Sequence, residues 1–275
     1  MNYLIWAIVL LLVLAAVYFI LICPRLWNKP DYSVLKGVHY AHRGLHDNQT
    51  DAPENSLRAF QKAVDAGYGI EFDVQMSKDR VPVVFHDATL ERMCGVQGNV
   101  WDYTAEELQS MKLADSQETI PAFAQVLDLV RGRVPLIIEY KLDVPTTEVC
   151  QLADEILQGY QGIYCIESFH PLAVTWYRTN RPEIIRGQLS KDFTKDEKTK
   201  GKLVFWALTH LLTNVLTRPD FIAYNYRHAH MLSRRICRKL GSLAIAYTVR
   251  DQQSYEKVKK DFDLFIFDSF IPREK

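Results

Sequence analysis

Glu71 and Asp73 stand two apart in Gly69-Ile70-Glu71-Phe72-Asp73-Val74, a stretch that reads as a strand. Residues i and i+2 of a strand share a face, so both carboxylates project the same way. Two acids side by side on a half-buried surface repel each other, and a divalent cation is the counter-charge that relieves them. Ser77 to Arg80 then separate this strand from Val81-Pro82-Val83-Val84-Phe85-His86, too short a gap for a parallel crossover and the right one for a hairpin. Pairing Met76 with Val81 predicts that His86 lies opposite Glu71. Two other strand ends supply matching chemistry. Tyr40-Ala41-His42-Arg43-Gly44 delivers an imidazole and a guanidinium together, and Ile138-Glu139-Tyr140-Lys141 sets an acid and a cation on one face.

Glu71, Asp73 and Glu139 form an all-oxygen set suited to a hard cation, Mg²⁺ or Ca²⁺, whereas zinc more often recruits histidine. Arg43 and Lys141 would then face an anionic substrate, the guanidinium fitting phosphate with two parallel hydrogen bonds. His42 and His86, free of the metal, divide proton transfer as acid and base because imidazole titrates near neutrality. Metal, cations and an acid–base pair describe phosphodiester cleavage. Asp87 reads equally as an orienting partner for a histidine or as a turn cap, and Asn55 reads either as reaching the site or as a cap for the helix after it, with the cap favoured.

These groups meet only if the strand ends converge. Strand candidates fall at Val38–His42, Gly69–Met76, Val134–Tyr140, Gly162–Glu167, Ile184–Leu189, Asp220–Tyr224, Leu243–Val249 and Leu264–Asp268, with Val81–His86 as the hairpin return. Helix-like segments lie between most of them: Ser56–Ala66, Thr104–Met111, Ala122–Arg131, Thr146–Gln158, Pro171–Asn180, Leu203–Leu216, His228–Leu240 and Gln252–Lys260. That alternation predicts an α/β protein with a (β/α)₈ TIM barrel, whose site sits at the C-terminal ends of the strands. Leu203–Leu216 is apolar nearly all round but too short to span a bilayer, so it is either a buried barrel helix or an interfacial one. The cationic run Arg234, Arg235, Arg238 and Lys239 reads as a solvated helix face, against which anionic headgroups could also lie.

The chain has 275 residues, 48% of them hydrophobic and 24% charged, enough to bury a full core. Its 33 Lys and Arg balance 33 Asp and Glu, which removes the electrostatic case for a nucleic-acid partner; no protein partner is implied either. Five irregularly spaced cysteines suggest neither a disulfide framework nor a zinc knuckle. Tyr3–Ile22 is an unbroken apolar run, about 30 Å long as a helix and long enough to cross a bilayer core. It reads as a single transmembrane helix rather than a cleaved signal, because a basic leading region and a small-residue cleavage pattern are missing. Arg25, Lys29 and Lys36 all follow the span, which predicts a cell-membrane protein with a cytoplasmic catalytic domain. The expected organisation is an anchor at 1–23, a juxtamembrane linker at 24–36 and a barrel at 37–275.

In order along the chain come His42-Arg43-Gly44, Pro53-Glu54-Asn55-Ser56, Glu71-Phe72-Asp73, Ser77-Lys78-Asp79, Val83-Val84-Phe85-His86-Asp87, Ile120-Pro121, Glu139-Tyr140-Lys141, Glu167-Ser168-Phe169 and Tyr247-Thr248-Val249. This ordered set resembles the glycerophosphodiester phosphodiesterase family, barrels related to phosphoinositide phospholipases C. The resemblance implies that His42 and His86 are the catalytic pair, that Glu71, Asp73 and Glu139 bind the metal, and that Arg43 and Lys141 contact phosphate. It implies hydrolysis of a glycerophosphodiester to an alcohol and sn-glycerol 3-phosphate, with a membrane lysophospholipase D or a non-catalytic headgroup-binding barrel as alternatives. Tyr247 stands where the family commonly has tryptophan and Arg250 where it often has asparagine, so the wall meeting the substrate alcohol differs. Arg80 replaces a usual turn glycine, which suits a turn that is not left-handed there.

Overall fold

The computed structural model describes residues 2–144 and 146–274. It begins with helix α1 (Asn2–Ile22), followed by β1 (Tyr40–His42), α2 (Leu57–Asp65), β2 (Gly69–Met76) and β3 (Pro82–Val84). Short helices α3 (Glu91–Cys94) and α4 (Ala105–Ser110) precede α5 (Phe123–Val130), β4 (Leu136–Tyr140), α6 (Glu148–Leu157), β5 (Tyr164–Ser168), α7 (Pro171–Asn180) and β6 (Arg186–Ser190). The chain ends with α8 (Leu203–Thr209), α9 (Asn214–Thr217), β7 (Phe221–Asn225), α10 (Leu232–Lys239), β8 (Leu243–Val249), α11 (Gln252–Val258) and β9 (Leu264–Phe267).

Eight parallel strands pair in the order β1, β2, β4, β5, β6, β7, β8, β9 and close when β9 returns to β1. This is the expected TIM barrel, with β3 as an antiparallel flap on β2. Register explains how the inward faces change character along the strands. Ile137 and Glu139 share one face of β4, and Cys165 and Glu167 share one face of β5, so each strand carries an apolar side chain low in the barrel and an acid at its upper end. The apolar layer comprises Tyr40, Ile137, Cys165, Phe221, Ile245 and Ile266, all buried, with Leu35 packed among them. Asp73 pairs with Glu139, and Glu139 with Glu167, which lines the acids up across three neighbouring strands.

The β2–β3 hairpin forms with a register one residue away from the expected one. Met76 pairs with Pro82, not Val81, because Ser77 N–H reaches Val81 O across a five-residue loop. Arg80 takes φ +66°, so the turn is left-handed at the position where a non-left-handed turn was expected. Extending this ladder sets His86 level with Phe72 rather than Glu71. The expected single helix at 203–216 divides at Leu211, whose φ is +59°, into α8 and α9. Leu203, Val204 and Trp206 on α8 remain exposed. Arg234 departs from the solvated face read from its charge run: it is buried, donates to Ala229 O and Asp261 O, and lies 4.5 Å over the Phe262 ring.

Residues 22–36 run beneath the barrel, against loops that lead into the strands. Arg25 N–H donates to Pro219 O at 3.0 Å, Lys29 Nζ to Gly241 O at 2.8 Å and the Tyr32 hydroxyl to Gly241 O at 2.9 Å. Leu35 is fully buried and its carbonyl accepts from Tyr40 Oη at 2.8 Å. Asn214 Nδ2 donates to Ile22 O and Arg218 to Cys23 O, both at 2.8 Å, fixing the end of α1 to the same side. The rest of α1 projects from the barrel with nearly all its side chains exposed, and it is long and apolar enough to cross a membrane.

Candidate active site

β1 ends where His42 pairs with Glu71 in the ladder, and the backbone then turns sharply. Arg43 takes φ +55°, and its N–H donates to Glu71 O at 2.7 Å, which aims the guanidinium across the mouth. There Arg43 Nη1 meets Glu54 Oε1 at 2.6 Å and Nε lies 3.4 Å from Asp73 Oδ2. Asn55 does not cap α2; Ser56 does, accepting from Ala59 N–H. With φ +59°, Asn55 turns inward instead and donates from Nδ2 to Asp73 Oδ2 at 2.9 Å.

Glu71, Asp73 and Glu139 are all buried, and each offers a carboxylate oxygen within 4.8 Å of the others. Lys141 Nζ bridges two of them, 2.9 Å from Asp73 Oδ1 and 2.5 Å from Glu139 Oε1. The acids respond unequally. Burial, reinforced by Asp73, Glu139 and Glu167, pushes Glu71 well above the usual carboxylate range. Burial works against the Asp73 carboxylate too, yet Lys141, His86 and Arg43 hold it well below that range. Glu167, buried behind Glu139, is also raised well above, and its Oε2 has no hydrogen-bond partner among the described residues. A cluster of acids whose ionised forms are disfavoured by burial and mutual repulsion is what a divalent cation would relieve. The hard oxygen donors of Glu71, Asp73 and Glu139 therefore fit such an ion.

The two histidines reach the mouth by different routes. His42 Nε2 lies 3.9 Å from Glu71 Oε2, while Nδ1 faces Asp268 Oδ2 at 3.4 Å. Burial pushes His42 down to about 4, against the opposing pull of Asp268. His86 follows β3 on a loop held by Gln75, whose buried amide donates to Phe85 O at 2.9 Å and Asp87 O at 2.7 Å. Its Nδ1 pairs with Asp87 Oδ1 at 2.6 Å, so Asp87 orients a histidine rather than capping a turn. Despite the shifted register, His86 is close enough to Asp73 and Glu139 to favour their ionised forms, although burial leaves Glu139 above its usual range. Tyr247 packs edge-on against Phe169 and donates to Ser190 O at 2.7 Å, on the wall formed by β6 and β8.

Glu54, Arg92, Gln75, Glu167 and Asp268 complete the mouth without having been assigned roles from their spacing. Glu54 accepts from Arg43, Arg92 and Asn48, and these partners bring it down to about 2 although burial opposes them. A Glu closing the strand before Ser168, and an Asp just past the last strand, were the available signals; neither forms an i, i+2 acid pair.

Residues 42–269 match the model of the glycerophosphoryl diester phosphodiesterase family. The chain belongs to that family. A glycerophosphodiester phosphodiesterase of Bacillus altitudinis is 40% identical over 165 residues, covering 56% of this chain and 66% of the relative. The chain spans about half to two thirds of the length of such curated relatives. A glycerophosphodiester phosphodiesterase from Thermotoga maritima superposes with a TM-score of 0.64 at 27% identity, covering 84% of this chain and 94% of that one. An Oleispira antarctica phosphodiesterase, solved with its product sn-glycerol-3-phosphate, shares the family fold with a TM-score of 0.70 at 24% identity, over 86% of this chain and 94% of that one.

Proposed function

We propose that this protein is a membrane-tethered, metal-dependent phosphodiesterase that hydrolyses glycerophosphodiesters to an alcohol and sn-glycerol 3-phosphate. The observation that carries this reading is the convergence of three metal-fitting acids, two cations and two Asp-paired imidazoles at one barrel mouth. Held by Glu71, Asp73 and Glu139, Mg²⁺ or Ca²⁺ would supply Lewis-acid polarisation of the phosphate. Arg43 and Lys141 neutralise the oxygens that gain charge as the attacking oxygen approaches. One of His42 and His86 takes the proton of that attacking oxygen, water or a substrate hydroxyl, and the other protonates the departing alkoxide. Asp87 bonds Nδ1 of His86 at 2.6 Å and holds that ring from behind, and Asp268 faces Nδ1 of His42 at 3.4 Å, so Nε2 of each ring is left to work.

The tether reading rests on α1, and Arg25, Lys29 and Lys36, which follow it, support a barrel on the cytoplasmic side. A C-terminal reporter active only outside the membrane would reverse that orientation. Exposed Leu203, Val204 and Trp206, in the stretch after the upper end of β6, support a second reading in which an acyl chain rests there and the substrate is a lysophospholipid. Residues 22–36 instead join the tether to the base, the end away from the mouth, which favours the water-soluble substrate. The deciding experiment is a product assay over glycerophosphodiesters, lysolipids and glycerol-phosphate polymers, with and without chelator. Release of sn-glycerol 3-phosphate from glycerophosphocholine, abolished by chelator and restored by Mg²⁺ or Ca²⁺, is expected; strong preference for the acylated substrate overturns the first reading.

A further inference from the structure

Four residues beyond His42, a second imidazole turns toward the same carboxylate. His46 Nε2 lies 3.3 Å from Asp268 Oδ1, while His42 Nδ1 lies 3.4 Å from Asp268 Oδ2. One donor atom from each of the three residues falls within 4.8 Å of the others. Both ring nitrogens of His46 and Nδ1 of His42 are buried and make no hydrogen bond among the described residues. Separations of 3.3–3.4 Å are long for a charge-assisted N–H···O bond, which favours about 2.7–2.9 Å. The three donor atoms lie within 4.8 Å of one another, and small side-chain rotations would draw both nitrogens onto one carboxylate oxygen, toward the roughly 3.3 Å edge that ligands at ~2.0–2.1 Å set around a tetrahedral ion.

We propose that His42, His46 and Asp268 form a second, transition-metal site that takes Zn²⁺ and switches the enzyme off. Two imidazoles and one carboxylate form a borderline-soft donor set that suits zinc and disfavours Mg²⁺ and Ca²⁺, so it is chemically distinct from the all-oxygen set of Glu71, Asp73 and Glu139. His46 and Asp268 also line a cavity of about 660 Å³ bounded by Gly44, Asn48, Ser269 and Phe270, which gives an ion a route from solvent and room for a fourth ligand such as water. Ser269 Oγ donates to Asp268 Oδ1 at 2.9 Å, and Arg250 lies 3.5 Å from Oδ2. The carboxylate keeps lone pairs beyond the serine bond, and the Arg250 side chain, 61% exposed, is free to swing into water when a cation arrives.

The consequence for His42 follows from proton bookkeeping. Zinc takes the Nδ1 lone pair, so the single ring proton of neutral His42 resides on Nε2. A ring in that state has no lone pair with which to accept a proton, and it binds its remaining proton more tightly than an imidazolium does. His42 is disabled whether its role is base or acid.

The test uses the full chain in detergent or nanodiscs, with Mg²⁺ or Ca²⁺ in saturating excess to occupy the acidic set. Zinc stoichiometry, read by competition with a chromophoric chelator, should exceed that of His46→Ala by one equivalent, and Co²⁺ should give a tetrahedral absorption band that His46→Ala lacks. Without zinc, His46→Ala should keep its activity, and this reports that it folds. Its zinc inhibition midpoint should rise at least about tenfold, since even an outer-sphere partner is worth that much in metal affinity. His46→Cys, which restores a zinc ligand, should restore sensitivity. Equal stoichiometry in wild type and His46→Ala, or equal zinc inhibition, would overturn the proposal by assigning zinc to the acidic set. The inhibition measurement rests on the phosphodiesterase reading, whereas the binding measurement does not, so failure of one is distinguishable from failure of the other.

Discussion

His42 and His86 differ in surroundings more than in kind. His42 is packed against Asp268 with its charged form disfavoured by burial, whereas His86 sits on a loop secured by Gln75 and is paired to Asp87. Replacing either with alanine should lower kcat by about 10²- to 10⁴-fold, the usual range for a general acid or base, measured as release of the alcohol. Asp87→Asn should reduce kcat and shift its pH profile while leaving KM near wild type, because the carboxylate acts through His86 rather than on substrate. Glu54 gives a stability prediction. Its carboxyl falls from an ordinary 4.5 to about 2 in the folded protein. At roughly 1.4 kcal/mol per unit this contributes about 3 kcal/mol, fully present above the unfolded value and lost as pH falls from about 4.5 through about 2. Glu54→Gln should therefore be less stable than wild type at pH 7 and show a flatter decline in acid, as urea titrations across that range would reveal. The acid pair and Glu139 were legible because i, i+2 spacing in a strand states a shared face. Glu167 and Asp268 were not, since each stands alone in its own element, and Gln75, although it follows Asp73 at that spacing, gains its role only from the His86 loop it holds beside β2.

At the scale of elements, the turn after β1 organises the mouth. Gly44 has φ +84°, and a Cβ built there would lie 2.8 Å from the Ala59 backbone in α2. Gly44→Ala should cost at least about 1–2 kcal/mol from the left-handed backbone alone, with further loss from the clash. Because Arg43 precedes it, activity should fall more than the drop in melting temperature explains. The hairpin shows where local pattern reaches its limit. Alternation and gap length announced an antiparallel return, but register depends on which residue the turn makes left-handed, and Arg80 adopts that conformation without being glycine. In the charge run at 234–239, Arg235 and Lys239 are exposed as expected, and Arg234 departs from the solvated face for a related reason. Arg234 finds carbonyl acceptors at Ala229 and Asp261 and an aromatic face at Phe262, partners supplied by other segments of the fold.

Considered whole, the molecule joins its apolar helix to its barrel without slack. Deleting residues 1–21 should leave a soluble, folded enzyme, because only the last part of α1 is buried. Deleting residues 1–36 should lower stability by about 2 kcal/mol or more, since it removes the fully buried Leu35 side chain together with the Arg25, Lys29 and Tyr32 contacts. Calorimetry on the two truncations separates these outcomes. The sequence by itself determined the class of fold, the closing strands and the acids, cations and imidazoles that gather at their upper ends, because strand period and alternation are local properties of the chain. Only the tertiary structure decided that 22–36 packs beneath the barrel, that Asn55 turns inward and that His46 joins His42 on one carboxylate. Each of those depends on a partner distant in sequence, and spacing along one strand or helix carries no information about what the next one brings to meet it.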